Sequence, residues 1–221
     1  MKITAKETAI RQAIIDNCLE MNASGLNQGT SGNISVRHGK HMLITPSATP
    51  YKAMRPEMIV SMPIDGEYST WEGPLKPSTE WRFHLDILKA RPDVGAIVHT
   101  HSTFATALAI TRQAIPACHY MIAAFGGNDI PCAEYALYGT EALSTRVLKA
   151  LEGRNGCLLA NHGMIACGAT LDKAMWLAVE LETLAKQYTL AMQVGDPVIL
   201  SDLEIEETAR GFSTYGLQDK K

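Results

Sequence analysis

No run of apolar residues in this chain of 221 approaches the roughly 20 that a membrane-spanning helix requires. Met1-Lys2-Ile3-Thr4-Ala5-Lys6 leads into a polar helical pattern without the apolar core of a secretion signal. No cluster of Lys and Arg marks a nucleic-acid footprint, and a formal net charge of −3 gives no reason to expect a polyanionic partner. Cys18, Cys118, Cys132, Cys157 and Cys167 are odd in number and never spaced Cys-x-x-Cys. That fits reduced, buried thiols in a cytoplasmic protein better than a disulfide framework. Internal repeats, low-complexity stretches and long linkers are also missing. With 46% hydrophobic residues, the chain is expected to form one domain over 1–221 around a single sizeable core.

The patterning present is that of alternating helices and short strands. Ile10, Ile14 and Cys18 fall at i, i+4 and i+8, marking a first helix over about 20 residues. A polar, glycine-rich stretch, "LNQGTSGNISVR", opens into a strand near Ile34 to Arg37. His38-Gly39-Lys40 then turns it back through His41 to Ile44. Further strands are expected at Met58 to Met62, Gly95 to Val98, Cys157 to Leu159 and Met164 to Cys167. Helices are expected from Thr79 to Lys89 with Ser78 as N-cap, after Ser102, from Thr140 to about Leu151, and from Leu171 to Met192. Ser201-Asp202-Leu203-Glu204 has the form of a capping box for a last helix. Several strand neighbours are too close for crossover helices. The expected fold is therefore an α/β three-layer sandwich with a mostly antiparallel central sheet and helices on both faces.

Three histidines carry the chemical signal. In the stretch "AIVHTHS" a strand would put His99 and His101 on one face and Thr100 on the other, so the two imidazoles can converge on one ion. Such a pair needs a third ligand. His162, in the polar Asn-His-Gly step of "LLANHGMIA", is a candidate, because an unpaired imidazole between apolar strands is costly. His84, His119, His38 and His41 compete for the role. His38 and His41 flank a turn, and His84 sits in a helical pattern that suggests a surface or packing position. Glu80, at the start of a helix in "KPSTEWRFH", is a capping-turn carboxylate that close to a metal could serve as ligand or proton acceptor. Gly29, Ser31, Gly32 and Asn33 allow a bent backbone with exposed N–H groups. Ser78 and Thr79 add hydroxyls at a helix start, and together these suggest a small phosphorylated ligand.

Taken together and in order, "GLNQGTSGNISVR", "MLITPS", "PSTEWRFH", "VHTHS", "HYMIAAFGGNDIPCA", "LLANHGMIAC" and "STYGL" resemble the class II, zinc-dependent sugar-phosphate aldolases, and the L-fuculose-1-phosphate aldolases among them most of all. The resemblance implies one Zn²⁺ per subunit on His99, His101 and His162. Glu80 would be the acid–base residue and a fourth ligand when substrate is absent. It implies phosphate binding by Gly32-Asn33, Ser47-Ala48 and Ser78-Thr79, and proton donation to the aldehyde oxygen by Tyr120. A second tyrosine, Tyr215, would act from a C-terminal tail at about 212–221. Family members are homotetramers with active sites at subunit interfaces. The reaction implied is reversible cleavage of a ketose 1-phosphate to dihydroxyacetone phosphate and a short aldehyde such as L-lactaldehyde. One departure stands out: where the family has glycine after Thr-Pro-Thr/Ser, this chain has Ala48. If that position needs positive φ, alanine costs about 1 kcal/mol.

Four other readings share the fold. An aldolase of a deoxypentulose 1-phosphate or a phosphosugar decarboxylase would differ only in pocket side chains. A phosphopentulose 4-epimerase of this type carries Asp where Glu80 stands. A non-enzymatic module like the head of adducins would have lost ligands that are all present here.

Overall fold

The computed structural model describes residues 3–212. In chain order it contains α1 (Ala5–Ala23), β1 (Asn33–His38), β2 (His41–Ile44), β3 (Val60–Pro63), α2 (Trp81–Ala90), β4 (Ala96–Thr100) and α3 (Thr103–Ile110). These are followed by β5 (Ile115–Pro116), β6 (Asp129–Ile130), β7 (Cys132–Ala133), α4 (Glu141–Ala150), β8 (Gly156–Leu159), β9 (Gly163–Gly168), α5 (Leu171–Val194) and α6 (Asp202–Phe212). Seven strands form one sheet in the order β3-β2-β1-β4-β9-β8-β7. Every pairing in it is antiparallel except β7 with β8.

Strand alternation sorts the core into two layers. Ile34, Leu43, Val98, Leu158, Met164 and Ala166 pack on one face with residues of α1, α3 and α5. Met42, Ile44, Ile97, Cys157, Leu159 and Ile165 pack on the other with residues of α2 and α4. Buried on both faces, the central strands read as apolar runs rather than as alternating ones. The expected three-layer arrangement and mostly antiparallel sheet are both observed.

Three boundaries differ from the sequence reading, each for a physical reason. β3 begins at Val60, because Pro56–Met58 forms a short 3₁₀ turn first. α2 begins at Trp81 with Glu80 in the N-cap position, although the Ser78 hydroxyl still accepts the Glu80 N–H at 3.3 Å. Ser102 precedes α3 without a side-chain cap. The Glu182 carboxylate on α5 accepts the Phe104 and Ala105 N–H groups at 2.9 and 2.8 Å instead. Thr140 caps α4, which begins one residue later at Glu141, and the Ser201–Glu204 pair caps α6 as the expected capping box.

Arg37 on β1 fixes α2 against the sheet. Its guanidinium donates to the carbonyls of Leu88 and Arg91 at 2.6 and 3.1 Å, taking acceptors that the helix C-terminus leaves open. All five cysteines are free thiols. Burial pushes the Cys167 thiol up to about 12, so it is inert near neutrality.

Candidate active site

The site forms where three sequence-distant pieces meet at the ends of β1, β4 and β9. β1 and β4 pair with Asn33 directly opposite His99, and β4 and β9 with Thr100 opposite Met164. His162 occupies the turn joining β8 to β9, in which Asn161 takes φ +56°. Glu80 enters from the head of α2. Asn33 and Ser35 lie two apart on β1 and share the face toward α2, as do Ile97 and His99 on β4. β4 ends at Thr100, so His101 is the first residue beyond the strand, yet its imidazole still meets that of His99.

Glu80, His99, His101 and His162 each offer one donor atom, and these four atoms lie within 4.8 Å of one another. The three imidazole rings are mutually edge-on, with centroids 4.9–5.0 Å apart. His99 Nδ1 lies 2.9 Å from the Met164 carbonyl, to which it can only donate, leaving a lone pair on Nε2. That Nε2 is 3.0 Å from Glu80 Oε2 and 3.1 Å from His101 Nε2. Glu80 Oε1 lies 3.1 Å from His162 Nε2 but makes no hydrogen bond, although it is buried. Facing lone pairs at these distances repel unless a cation sits among them. Three neutral imidazoles and a carboxylate are the donor set of a divalent metal such as zinc. The residues present therefore fit a metal ion.

The electrostatics favour the ligand forms. Burial alone would raise the Glu80 carboxyl, but positive charge at the His99 and His162 positions, which a bound cation would equally supply, outweighs it and holds it well below the usual carboxylate range. Burial, reinforced by His99 and His162, lowers His101 to about 4 and keeps it neutral. Two glycines make the close packing possible. A Cβ on Gly163 would lie 2.5 Å from the Thr100 carbonyl oxygen and 2.9 Å from His101 Cδ2. A Cβ on Gly32 would lie 2.9 Å from the His99 carbonyl oxygen.

Above the four residues opens a cleft of about 520 Å³, within the usual range for small-ligand sites. Gly32, Asn33, Ser47, Ala48, Ser78 and Thr79 all line it, together with Glu80, His101 and His162. Two of its loops are zipped together: Ser47 donates to the Lys76 carbonyl at 3.0 Å and Ser78 to the Thr45 carbonyl at 2.9 Å. Among the described residues, the Ala48 and Thr79 N–H groups find no protein acceptor. Among the described residues no Lys or Arg lines the cleft, so an anion there would meet amides, hydroxyls and the four-ligand cluster.

Ala48 has φ +52°. The position does use the left-handed region, so alanine carries the strain that glycine would avoid. Ala48→Gly is expected to raise stability by up to about 1 kcal/mol. Urea denaturation checks this, and a destabilised variant would contradict it.

One expected residue lies elsewhere. Tyr120 is half-exposed in a second cleft with His119, Trp176, Glu180 and Phe212, away from Glu80. Tyr215 and most of the 212–221 tail fall outside the described residues. Two residues were missed. Tyr135 and Tyr138 line the main cleft, and nothing in their spacing marks them. His84, expected in a surface or packing role, is fully buried and hydrogen-bonded to Ser35 and Asn33 behind Glu80.

Burial lowers His84 to about 3, against about 6.5 for a free histidine. A group depressed in the fold contributes stability that is present above its unfolded value and lost as pH falls toward its folded one. Metal-free protein is thus expected to weaken below about pH 6.5, by up to about 1.4 kcal/mol per pH unit from this histidine. Urea midpoints at pH 7 and 5 check this. Equal midpoints would contradict a neutral His84.

Comparison with known proteins identifies the class. Residues 12–189 match the family "Class II Aldolase and Adducin N-terminal domain", and the chain belongs to it. A 5-methylthioribulose-1-phosphate/5-deoxyribulose-1-phosphate aldolase of Rhodospirillum rubrum is 52% identical over 94% of this chain and 93% of its own. An L-fuculose phosphate aldolase of Escherichia coli is 51% identical over 95% and 96%. A solved L-fuculose 1-phosphate aldolase superposes with a TM-score of 0.89 at 41% identity, covering 93% of this chain and 97% of its own. Relatives at this identity are aldolases, which are lyases. Among the described residues no helix is long and apolar enough to cross a membrane.

Proposed function

We propose that this protein is a zinc-dependent aldolase that reversibly cleaves a ketose 1-phosphate to dihydroxyacetone phosphate and a short aldehyde. The observation that carries the reading is the meeting of four ligand atoms from Glu80, His99, His101 and His162 beneath a cleft walled by glycine and hydroxyl residues. Zinc held by these residues would supply a Lewis acid where negative charge develops on the substrate. Glu80 removes the C3 proton of dihydroxyacetone phosphate in the synthetic direction and returns it in cleavage. Gly32-Asn33, Ser47-Ala48 and Ser78-Thr79 hold the phosphate and so fix the reacting carbons against the base.

The aldehyde oxygen needs a proton donor, and in its own chain Tyr120 lies outside this cleft. We assign this role to Tyr120 of a neighbouring copy, with Tyr215 beside it, in a homotetramer whose sites lie between subunits. The exposure of Tyr120, at 51%, leaves it available to such a neighbour. The proposed compartment is the cytoplasm, in keeping with five free thiols.

An L-fuculose 1-phosphate-like substrate, yielding L-lactaldehyde, is the first reading. Near-equal identity to the Rhodospirillum rubrum and Escherichia coli enzymes supports a second, with a 5-deoxy- or 5-methylthio-pentulose 1-phosphate. To separate them, zinc-loaded protein is incubated with dihydroxyacetone phosphate and a panel of short aldehydes. A preference for lactaldehyde supports the first reading and a preference for apolar-tailed aldehydes the second. Absence of any condensation product would sink both.

A further inference from the structure

Behind Glu80 runs a chain of buried side chains, and to two of them, Ser35 and His84, the proposed reaction gives no task. Asn33 Nδ2 lies 2.9 Å from Glu80 Oε2, His84 Nε2 lies 2.5 Å from Asn33 Oδ1, and Ser35 Oγ lies 2.7 Å from His84 Nδ1. Ser35 and His84 are fully buried, and Asn33 and Glu80 are nearly so. The carboxylate end fixes the direction of every bond. An ionised carboxylate only accepts, so the Asn33 amide must turn its NH₂ toward Glu80 and its oxygen toward His84. His84 must then carry its proton on Nε2 and accept at Nδ1 the hydrogen bond that the Ser35 hydroxyl donates.

The placement follows from simple periodicities. Asn33 and Ser35 are two apart on β1, and Glu80 and His84 are four apart at the head of α2, so both pairs face the same gap. Phe83 stacks on the His84 ring at a centroid distance of 4.6 Å, limiting its rotation. A flipped Asn33 amide would set its oxygen against the carboxylate and its NH₂ against the Nε2–H of His84. The chain therefore allows one orientation, with Glu80 Oε2 bonded and Oε1 left free of hydrogen bonds.

We propose that Ser35 and His84 are positioning residues that act through Asn33 to hold the Glu80 carboxylate in one orientation. The proposal rests on the reading of Glu80 as the acid–base group. Metal-loaded His84→Phe is expected to lose about 10- to 100-fold in kcat. KM for the ketose phosphate should change less than about threefold, since Asn33 Nδ2 is spent on Glu80, and metal content should be unchanged. His84→Gln presents an N–H and a carbonyl oxygen at similar spacing, and should recover most of the loss. Equal losses in the two variants, or a change confined to KM, would overturn the proposal.

A second measurement needs neither a variant nor activity. Nitrogen NMR of histidine-labelled, metal-loaded wild-type protein should show His84 protonated on Nε2 and bare on Nδ1 from pH 6 to 9. A proton on Nδ1 would break the chain and overturn the proposal. If wild-type protein lacked aldolase activity, the proposed function would fail while this tautomer test still decided the chain.

Discussion

Glu80→Gln is expected to lower aldol turnover by about 10²- to 10⁴-fold and to stop hydrogen exchange at C3 of dihydroxyacetone phosphate. The substitution keeps the side chain's shape but removes its ability to take a proton. Glu80 is 5% exposed and sits 3.0 Å from His99 and 3.1 Å from His162. Among the described residues no other carboxylate lines the cleft, so none of them can substitute. Metal content measured on the same samples separates loss of the base from loss of a ligand. With three imidazoles intact, most of the metal should remain. Exchange that continued at the wild-type rate would remove Glu80 from the role of base.

Gly163→Ala is expected to damage the site although it removes no polar group. Its Cβ would press on the Thr100 carbonyl at 2.5 Å, on His101 at 2.9 Å and on His99 Cε1 at 3.3 Å. The carbonyl belongs to the β4–β9 pairing and cannot yield without opening the sheet. The two histidines would be driven apart instead. A stability loss of about 1–3 kcal/mol follows from overpacking of this kind. Metal affinity and turnover should fall at least about 10-fold. Denaturation and metal titration check both, and a variant with wild-type metal affinity would show that the gap between the strands can relax.

Much of this was legible in local pattern. Alternation placed His99 and His101 on one face, and the pairing survived even though β4 stops before His101. Apolar runs and turn residues marked the central strands and the β8–β9 hairpin, because burial on both faces leaves little room for polar residues. Long-range placement was not legible. Nothing near His162 states that β9 lies between β4 and β8, which alone brings that turn beside His99. The cap of α3 comes from Glu182, 78 residues beyond Phe104, so the adjacent Ser102 misled. His84 read as helix packing because its partners, Asn33 and Ser35, belong to a strand about 50 residues earlier. Ala48 is the opposite case. A single departure from the family pattern pointed to positive φ, and the backbone has it.

On the proposed function, the Glu80, His99, His101 and His162 cluster is a metal site at which a proton is removed next to a carbonyl. The most direct measurement is the hydrogen–deuterium exchange of dihydroxyacetone phosphate in D₂O, followed by NMR, before and after chelation. The expected result is loss of one C3 hydrogen to exchange with untreated protein, none after chelation, and recovery on adding zinc. Exchange at an undiminished rate in fully metal-depleted protein would contradict the claim.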